Sequence, residues 1–340
     1  MSNTIQVNQL SPLLVVIVNY RTPNLTIDCL HSLVSEVQSL PGTHVVITDN
    51  NSGDNSVEQI QTAIETEGWG DWASLMPLER NGGFAFGNNA AIRPALNSSN
   101  PPPYILLLNP DTIVRPGALK VLVDFMKEHP QVGIAGSRLE DPDGTLQCSS
   151  FRFHSIFSEF NSGLRLHIGR KFKERWAVVP PTLPKETTQI DWVAGASMIV
   201  RREVFDQIGL MDEGYFMYYE EADFCLQANK AGWSCWYVPE SRVVHLVGQS
   251  SGVTDPKAKR KRRPKYWFDS RRRYFIKNHG WLYAALADAV FAFSCSLTRL
   301  RWLVRGEQSS FPSRFLFDFL GNSVLFQGFA LAPSNYSRSS

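Results

Sequence analysis

Two uninterrupted apolar runs constrain this chain most: Leu13-Leu14-Val15-Val16-Ile17-Val18 and Tyr104-Ile105-Leu106-Leu107-Leu108. Neither alternates with polar residues, so each reads as a strand buried on both faces. Between them, Pro23 to Ser39 reads as a helix, His44 to Thr48 as a second strand, Asp54 to Ile64 as a helix and Ala73 to Leu78 as a third strand. Strands alternating with helices predict an α/β fold, a doubly wound and mainly parallel sheet.

In such sheets ligands bind outside the carboxyl ends of the strands. The polar clusters fall there: Asn19-Tyr20, Asp49-Asn50, Asn81-Gly82-Gly83 and Asn109-Pro110-Asp111. Each also has a plain structural use, as Asp49 and Asn-Pro-Asp form turns and Gly82-Gly83 suits a tight left-handed turn. Four on one edge point to a site. Asp111 puts a carboxylate at a strand mouth, which suits a hard divalent cation shared with substrate phosphate oxygens.

The glycines do not make a dinucleotide fingerprint. Gly82-Gly83-Phe84-Ala85-Phe86-Gly87 carries Phe84 where a second glycine must let the backbone approach a pyrophosphate, and it follows the third strand rather than the first.

The second half supplies candidate chemistry. Ile190 to Val200 reads as one strand with the small residues Ala194-Gly195-Ala196 at its centre, where a substrate or a neighbouring strand can come close. Phe216-Met217-Tyr218-Tyr219 then leads into Glu220, Glu221 and Asp223 at the start of a helix. Crowded, poorly hydrated acids have raised pKa values useful to a general base, although acids in a first helical turn also complement the dipole. His245, inside the apolar run Val243-Val244-His245-Leu246, is either a core residue or a metal ligand. Gly248 to Gly252 reads as a loop able to close over a ligand.

Taken in order, Val18-Asn19-Tyr20, Asp49-Asn50-Asn51-Ser52, Asn81-Gly82-Gly83-Phe84-Ala85, Leu108-Asn109-Pro110-Asp111, Gly195-Ala196, Glu220-Glu221-Ala222-Asp223 and His245 resemble the family 2 glycosyltransferases, especially the bacterial rhamnosyltransferase-like branch. The resemblance covers roughly residues 12 to 252. It implies a GT-A fold, a nucleotide-sugar donor, Mg²⁺ or Mn²⁺, and inversion at the anomeric carbon.

Carried over by position, the resemblance implies that Tyr20 and Asp49 contact the nucleoside and that Asn81, Gly83 and Asn109 face the nucleotide. Asp111 and His245 would form the metal and diphosphate site, and Trp192, Gly195 and Ala196 the acceptor side. Glu221 would be the base, ahead of Glu220 and Asp223. Two positions depart from the pattern: Asn109 replaces the first aspartate of Asp-x-Asp, leaving fewer metal ligands, and Glu221 is one methylene longer than the usual aspartate. Resemblance makes dTDP-L-rhamnose the leading donor, UDP-sugars the next, and a saccharide or lipid-linked saccharide of cell-wall or surface-polysaccharide synthesis the acceptor.

With 43% hydrophobic and 19% charged residues, the 340-residue chain is neither disordered nor collagen-like. Its five cysteines lack Cys-x-x-Cys spacing and read as reduced packing residues, and Met1-Ser2-Asn3-Thr4 begins no signal peptide, so a cytoplasmic protein is expected.

The net charge of +2 conceals an asymmetry: residues 256 to 305 hold fourteen Lys or Arg against Asp269 and Asp288, a local charge of +12. The run Lys257 to Arg263 and the triplet Arg271-Arg272-Arg273 flank Tyr266-Trp267-Phe268, and such cations with interfacial aromatics suit an anionic membrane surface. Trp281 to Thr298 follows as a helix with one charge, Asp288; it fits an interfacial helix, a helix packed on the catalytic domain, or a membrane span. No base-reading module accompanies the basic stretch, so nucleic acid is not expected as a partner.

The expected organisation is an N-terminal tail over 1–11, a GT-A domain over 12–252 and a basic helical extension over 253–340, peripheral at the inner face of the membrane. The competing class is a catalytically silent nucleotide-sugar or membrane-surface binding protein on the same fold. A processive synthase is disfavoured, because Thr298-Arg299-Leu300-Arg301-Trp302 has Thr where that motif needs Gln.

Overall fold

The computed structural model describes residues 12–164, 175–246, 262–307, 311–312, 314–329 and 331. The expected N-terminal tail, the 248–252 loop and Lys257 to Lys261 of the basic run lie outside the described residues. Strands β1 (Leu14–Asn19), β2 (His44–Asp49), β3 (Ala73–Pro77) and β4 (Tyr104–Leu108) form the parallel half of a nine-stranded sheet. Its order continues from β4 through β10 (Ser197–Arg201), β6 (Val132–Glu140) and β11 (Ser234–His245) to β5 (Thr112–Val114), with β8 (Thr188–Ile190) paired to β11. β10 runs antiparallel to both neighbours. The sheet is thus mixed but mostly parallel, as expected.

The apolar runs are buried on both faces for a visible reason. Val15 and Ile17 of β1 face a core shared with helices α1 (Pro23–Ser39), α2 (Ser56–Thr66) and α4 (Ala118–Glu128). Leu14 and Val16 face the opposite core, shared with α3 (Phe84–Leu96), α6 (Arg202–Ile208) and α7 (Glu220–Lys230). Each such side chain contributes about 1.5–3 kcal/mol by burial, so a polar residue at any of these positions is costly.

The expected single strand over Ile190–Val200 is instead broken. β9 (Trp192–Val193) pairs with β7 (Ser150–Phe151) in a separate two-stranded sheet, and β10 begins only at Ser197. The intervening Ala194-Gly195-Ala196 leaves the ladder to meet other groups: Ala194 N donates to Ser149 O, and Ala196 O accepts from Asn109 N.

The C-terminal part packs as helices against the sheet domain and against α5 (Ile156–Leu164): α8 (Lys265–His279), α9 (Trp281–Arg305), α10 (Phe315–Gly321) and α11 (Val324–Gln327). Arg271 of α8 is buried between Glu159 of α5 and Asp288 of α9, and Asp288 also accepts from Val324 N at 2.7 Å. Burial alone would raise Glu159, but Arg271 and His154 hold its carboxyl below the usual range.

This arrangement corrects one expectation about the tail and narrows another. Arg271 and Arg272 are buried, and Arg273 pairs with Asp212, so the triplet serves the protein's own acids rather than a lipid surface. Among the described residues only α9 is long and apolar enough to cross a membrane. Its single acid is held by Arg271 inside the protein, however, and one whole face of the helix is packed against α5, α8 and α10, so a bilayer span does not fit this packing.

Candidate active site

Strand register assembles the site. β1 and β2 are paired so that Asn19 lies opposite Asp49, and the Asn19 amide donates to Asp49 at 2.7 Å. Asp49 also accepts from the Ser52 hydroxyl at 2.6 Å and the Ser52 amide at 3.0 Å. Asn19 in turn accepts from the hydroxyls of Thr22 and Thr26, which makes it the hub of the first two loops. Tyr20 is half-buried beside them, with the Arg21 guanidinium 5.3 Å from its ring centre.

The third loop docks on the second and on the helix-leading loop. Asn50 donates to Gly83 O at 2.9 Å, Asn81 accepts from Gly83 N at 3.1 Å, and Phe84 N donates to Phe216 O at 3.0 Å. Gly83 has φ +88°, and a Cβ there would stand 1.9 Å from Phe216 O. Only glycine meets both demands.

Asp111 and His245 come together because β5 and β11 are antiparallel with Thr112 opposite His245. Leu246 N donates to Asp111 O at 2.9 Å, and Asp111 Oδ1 lies 3.5 Å from His245 Nε2. A carboxylate oxygen beside an imidazole nitrogen is a donor pair suited to a divalent cation whose other positions go to phosphate oxygens. Among the described residues no group of three or more His, Cys, Asp or Glu is placed to hold a metal. Asp111 and His245 are thus a pair rather than part of a larger cluster among the described residues.

The acidic cluster opens α7. Glu221 accepts from Gly195 N at 3.3 Å, which brings the small-residue segment to the carboxylate. Burial pushes the Glu221 carboxyl above its ordinary range. Glu220 is almost wholly buried; burial first, then the adjacent Glu221 charge, push it well above that range. Asp223 differs: its two oxygens are bound by Lys277 and Asn278 of α8, each at 2.6 Å. It ties α7 to α8, with both oxygens engaged there, while its charge adds to those that raise Glu220.

Trp192 stacks on Phe151 with ring centres 4.2 Å apart and donates to Arg152 O at 2.9 Å. Together with Ala196, which receives Asn109 N at 3.1 Å, and Gly195, it stands on the Glu221 side of the assembly.

Sequence reasoning missed how Glu220 and Glu221 are held. Tyr218 and Tyr219, immediately before Glu220, have φ of 71° and 70°. Two consecutive non-glycine residues in the left-handed region cost of order 1–3 kcal/mol each and persist only when their surroundings enforce them. The Tyr219 ring lies 4.6 Å from His154 and 5.5 Å from Tyr274, while Ser270 donates to Met217 O at 3.0 Å. α8 thus clamps the loop that aims the acids. The aromatic run Phe216 to Tyr219 was the available signal; its backbone conformation was not encoded in any glycine.

The family model for glycosyl transferase family 2 matches residues 14–209. An N-acetylglucosaminyl-diphospho-decaprenol L-rhamnosyltransferase of Mycobacterium tuberculosis is 29% identical over 206 residues, 60% of this chain and 60% of that protein. The dTDP-rhamnosyl transferase RfbF of Shigella flexneri is 24% identical over 283 residues, 82% of this chain and 84% of that protein. The chain spans about three fifths of the mycobacterial relative's length. The crystal structure of GalNAc-T7 with UDP, GalNAc and Mn²⁺ superposes with a TM-score of 0.58 at 16% identity, over 87% of this chain and 57% of that one. That likeness and the mostly parallel sheet identify the GT-A fold. Matched by the family model over more than half its length, the chain belongs to glycosyl transferase family 2.

Proposed function

We propose that the protein is an inverting, metal-dependent glycosyltransferase that moves a sugar, L-rhamnose first among candidates, from a nucleoside diphosphate to a saccharide or lipid-linked saccharide. The observation that carries this reading is the pairing of two groups on one sheet edge: a carboxyl with raised pKa on the Gly195 amide, and the Asp111–His245 donor pair at the strand mouth. The names of the mycobacterial and Shigella relatives support rhamnose, dTDP and a polyprenyl-diphosphate-linked acceptor. Such an acceptor supports a place for the enzyme at the inner face of the cell membrane, in surface-polysaccharide or cell-wall synthesis.

In this mechanism Asn19, Asp49 and Ser52 form the rigid floor on which the nucleoside rests beside Tyr20. Asn81, Gly83 and Asn109 present the loops that face the nucleotide. Asp111 and His245 would hold Mg²⁺ or Mn²⁺, which when bound neutralises charge developing on the departing diphosphate. Glu221 takes the proton of the acceptor hydroxyl as its oxygen bonds to the anomeric carbon and the bond from that carbon to the diphosphate oxygen breaks. Attack from the face opposite the leaving group inverts the anomeric configuration. Trp192, Gly195 and Ala196 line the acceptor's approach, and Gly195 fixes the Glu221 carboxylate in place.

Thermal denaturation with dTDP, UDP or GDP, each with and without Mn²⁺, tests donor and metal together, since a ligand of the folded state raises stability in proportion to its binding. The expected result is stabilisation by dTDP that grows with Mn²⁺, followed by transfer from dTDP-L-rhamnose. Stabilisation without release of nucleotide from any donor and acceptor pair would instead favour a silent binding protein.

A further inference from the structure

Helix α9 has two apolar faces. One carries Ala284, Ala287, Phe291, Cys295 and Trp302 and is buried against neighbouring helices. The other carries Leu282, Leu286, Phe293, Leu297, Leu300 and Val304, which recur at spacings of three, four or seven and therefore share a stripe on the opposite side. These side chains are exposed, Phe293 at 59% and Val304 at 79%. A soluble monomer rarely leaves so long a contiguous apolar surface in water.

The surface does not end with the helix. Trp281 at its start contacts Phe329 with ring centres 5.1 Å apart, and Phe326 of α11 is 71% exposed. Near the other end Arg299 lies 5.8 Å from the ring of Phe317, itself 67% exposed. The only acid in α9, Asp288, is buried on Arg271, so the exposed side of the helix itself carries no carboxylate; just past its end Glu307 pairs with Arg305 at 3.8 Å. At about 1.5 Å per residue the helix is about 37 Å long and lies along the protein rather than projecting from it.

We propose that this stripe is a monotopic membrane-docking face: it inserts into the interfacial region of an anionic bilayer, with Arg299 at the level of the lipid phosphates. The proposal deepens the reading of a membrane-borne acceptor and changes how the protein meets the membrane. Apolar insertion along α9 provides the hold, whereas Arg271, Arg272 and Arg273, which the sequence had suggested as lipid contacts, are engaged inside the fold. A helix with an apolar face and cations at its margin binds through both terms, and apolar insertion, unlike ion pairing, survives high salt.

The test is co-sedimentation of the full chain with vesicles of phosphatidylglycerol and phosphatidylcholine across a salt series, beside the triple variant Leu286→Glu, Phe293→Glu, Leu300→Glu. All three positions are exposed, so circular dichroism and thermal denaturation of the variant should match the wild type. The wild type should sediment with the vesicles and remain partly bound at high salt, and the variant should bind at least about tenfold more weakly. Activity of the variant on a soluble saccharide acceptor should be unchanged. Equal vesicle binding by both proteins, or none by the wild type, overturns the proposal. A wild-type dimer in light scattering that the variant abolishes also overturns it, because the stripe would then be covered by a second copy. Absence of transfer by either protein on any acceptor would count against the proposed activity, whereas the vesicle result addresses the docking face alone.

Discussion

Gly195 and Glu221 are in contact as amide and carboxylate: Gly195 N donates to Glu221 Oε1 at 3.3 Å, and a Cβ on Gly195 would stand 3.0 Å from both Cγ and Oε1 of Glu221. The same Cβ would stand 3.0 Å from Cζ of Phe84. Gly195→Ala therefore displaces Glu221 or Phe84 of α3 by a few tenths of an ångström. Because misplacement of a reacting group is costly, kcat should fall about 10- to 100-fold while the melting temperature changes little. Steady-state kinetics on the purified variant checks this, and an unchanged kcat would show that the contact does not position Glu221 for transfer.

Glu220 gives a pH prediction with a definite sign. Its folded-state pKa is raised by burial and by Glu221, and its Oε2 has no hydrogen-bond partner among the described residues. The folded state thus holds protons that the unfolded state releases, so this pair's contribution to stability is lost as pH rises from the ordinary carboxylate range through the raised value. Glu220→Gln should stabilise the protein at neutral pH by about 1–3 kcal/mol, and its advantage should shrink in acid. Urea unfolding across pH measures both.

The Asp111–His245 pair is tested by removing charge and keeping shape. Asp111→Asn should retain the fold and lose most of the Mn²⁺-dependent gain in nucleoside diphosphate binding, read by calorimetry. Equal Mn²⁺ dependence in variant and wild type would move the metal elsewhere.

Arg271 joins Glu159 and Asp288 at the centre of the C-terminal helices. Removing it leaves two buried carboxylates near each other, so Arg271→Ala should cost about 3–5 kcal/mol, read from the shift in the urea midpoint. The depressed Glu159 carboxyl fixes the pH sense: the pairing's stability is present above the unfolded carboxylate range and is lost as pH falls through the lower folded value.

Much of the sheet domain was legible because its determinants are local. Runs such as Leu13 to Val18 announce strands by composition, and the carboxyl-end rule then locates Asp49, Asn81 and Asp111 without tertiary information. The pairing of Asp111 with His245 was reachable only through resemblance, since it depends on the antiparallel register of strands more than a hundred residues apart. The left-handed Tyr218-Tyr219 was not legible at all: tertiary packing by α8, not a glycine, sets that backbone. The triplet Arg271-Arg272-Arg273 misled for the same reason, because charge in a sequence does not say whether its partner is a lipid or Glu159.

The most direct measurement of the central claim is a comparison of Glu221→Gln with the wild type for both donor affinity and single-turnover transfer. Removing a general base while leaving the donor site intact should keep the dissociation constant of the Mn²⁺–dTDP complex within about twofold and lower the transfer rate by about 10² or more. A transfer rate equal to that of the wild type, or a loss confined to donor binding, would contradict the assignment of Glu221 as the base.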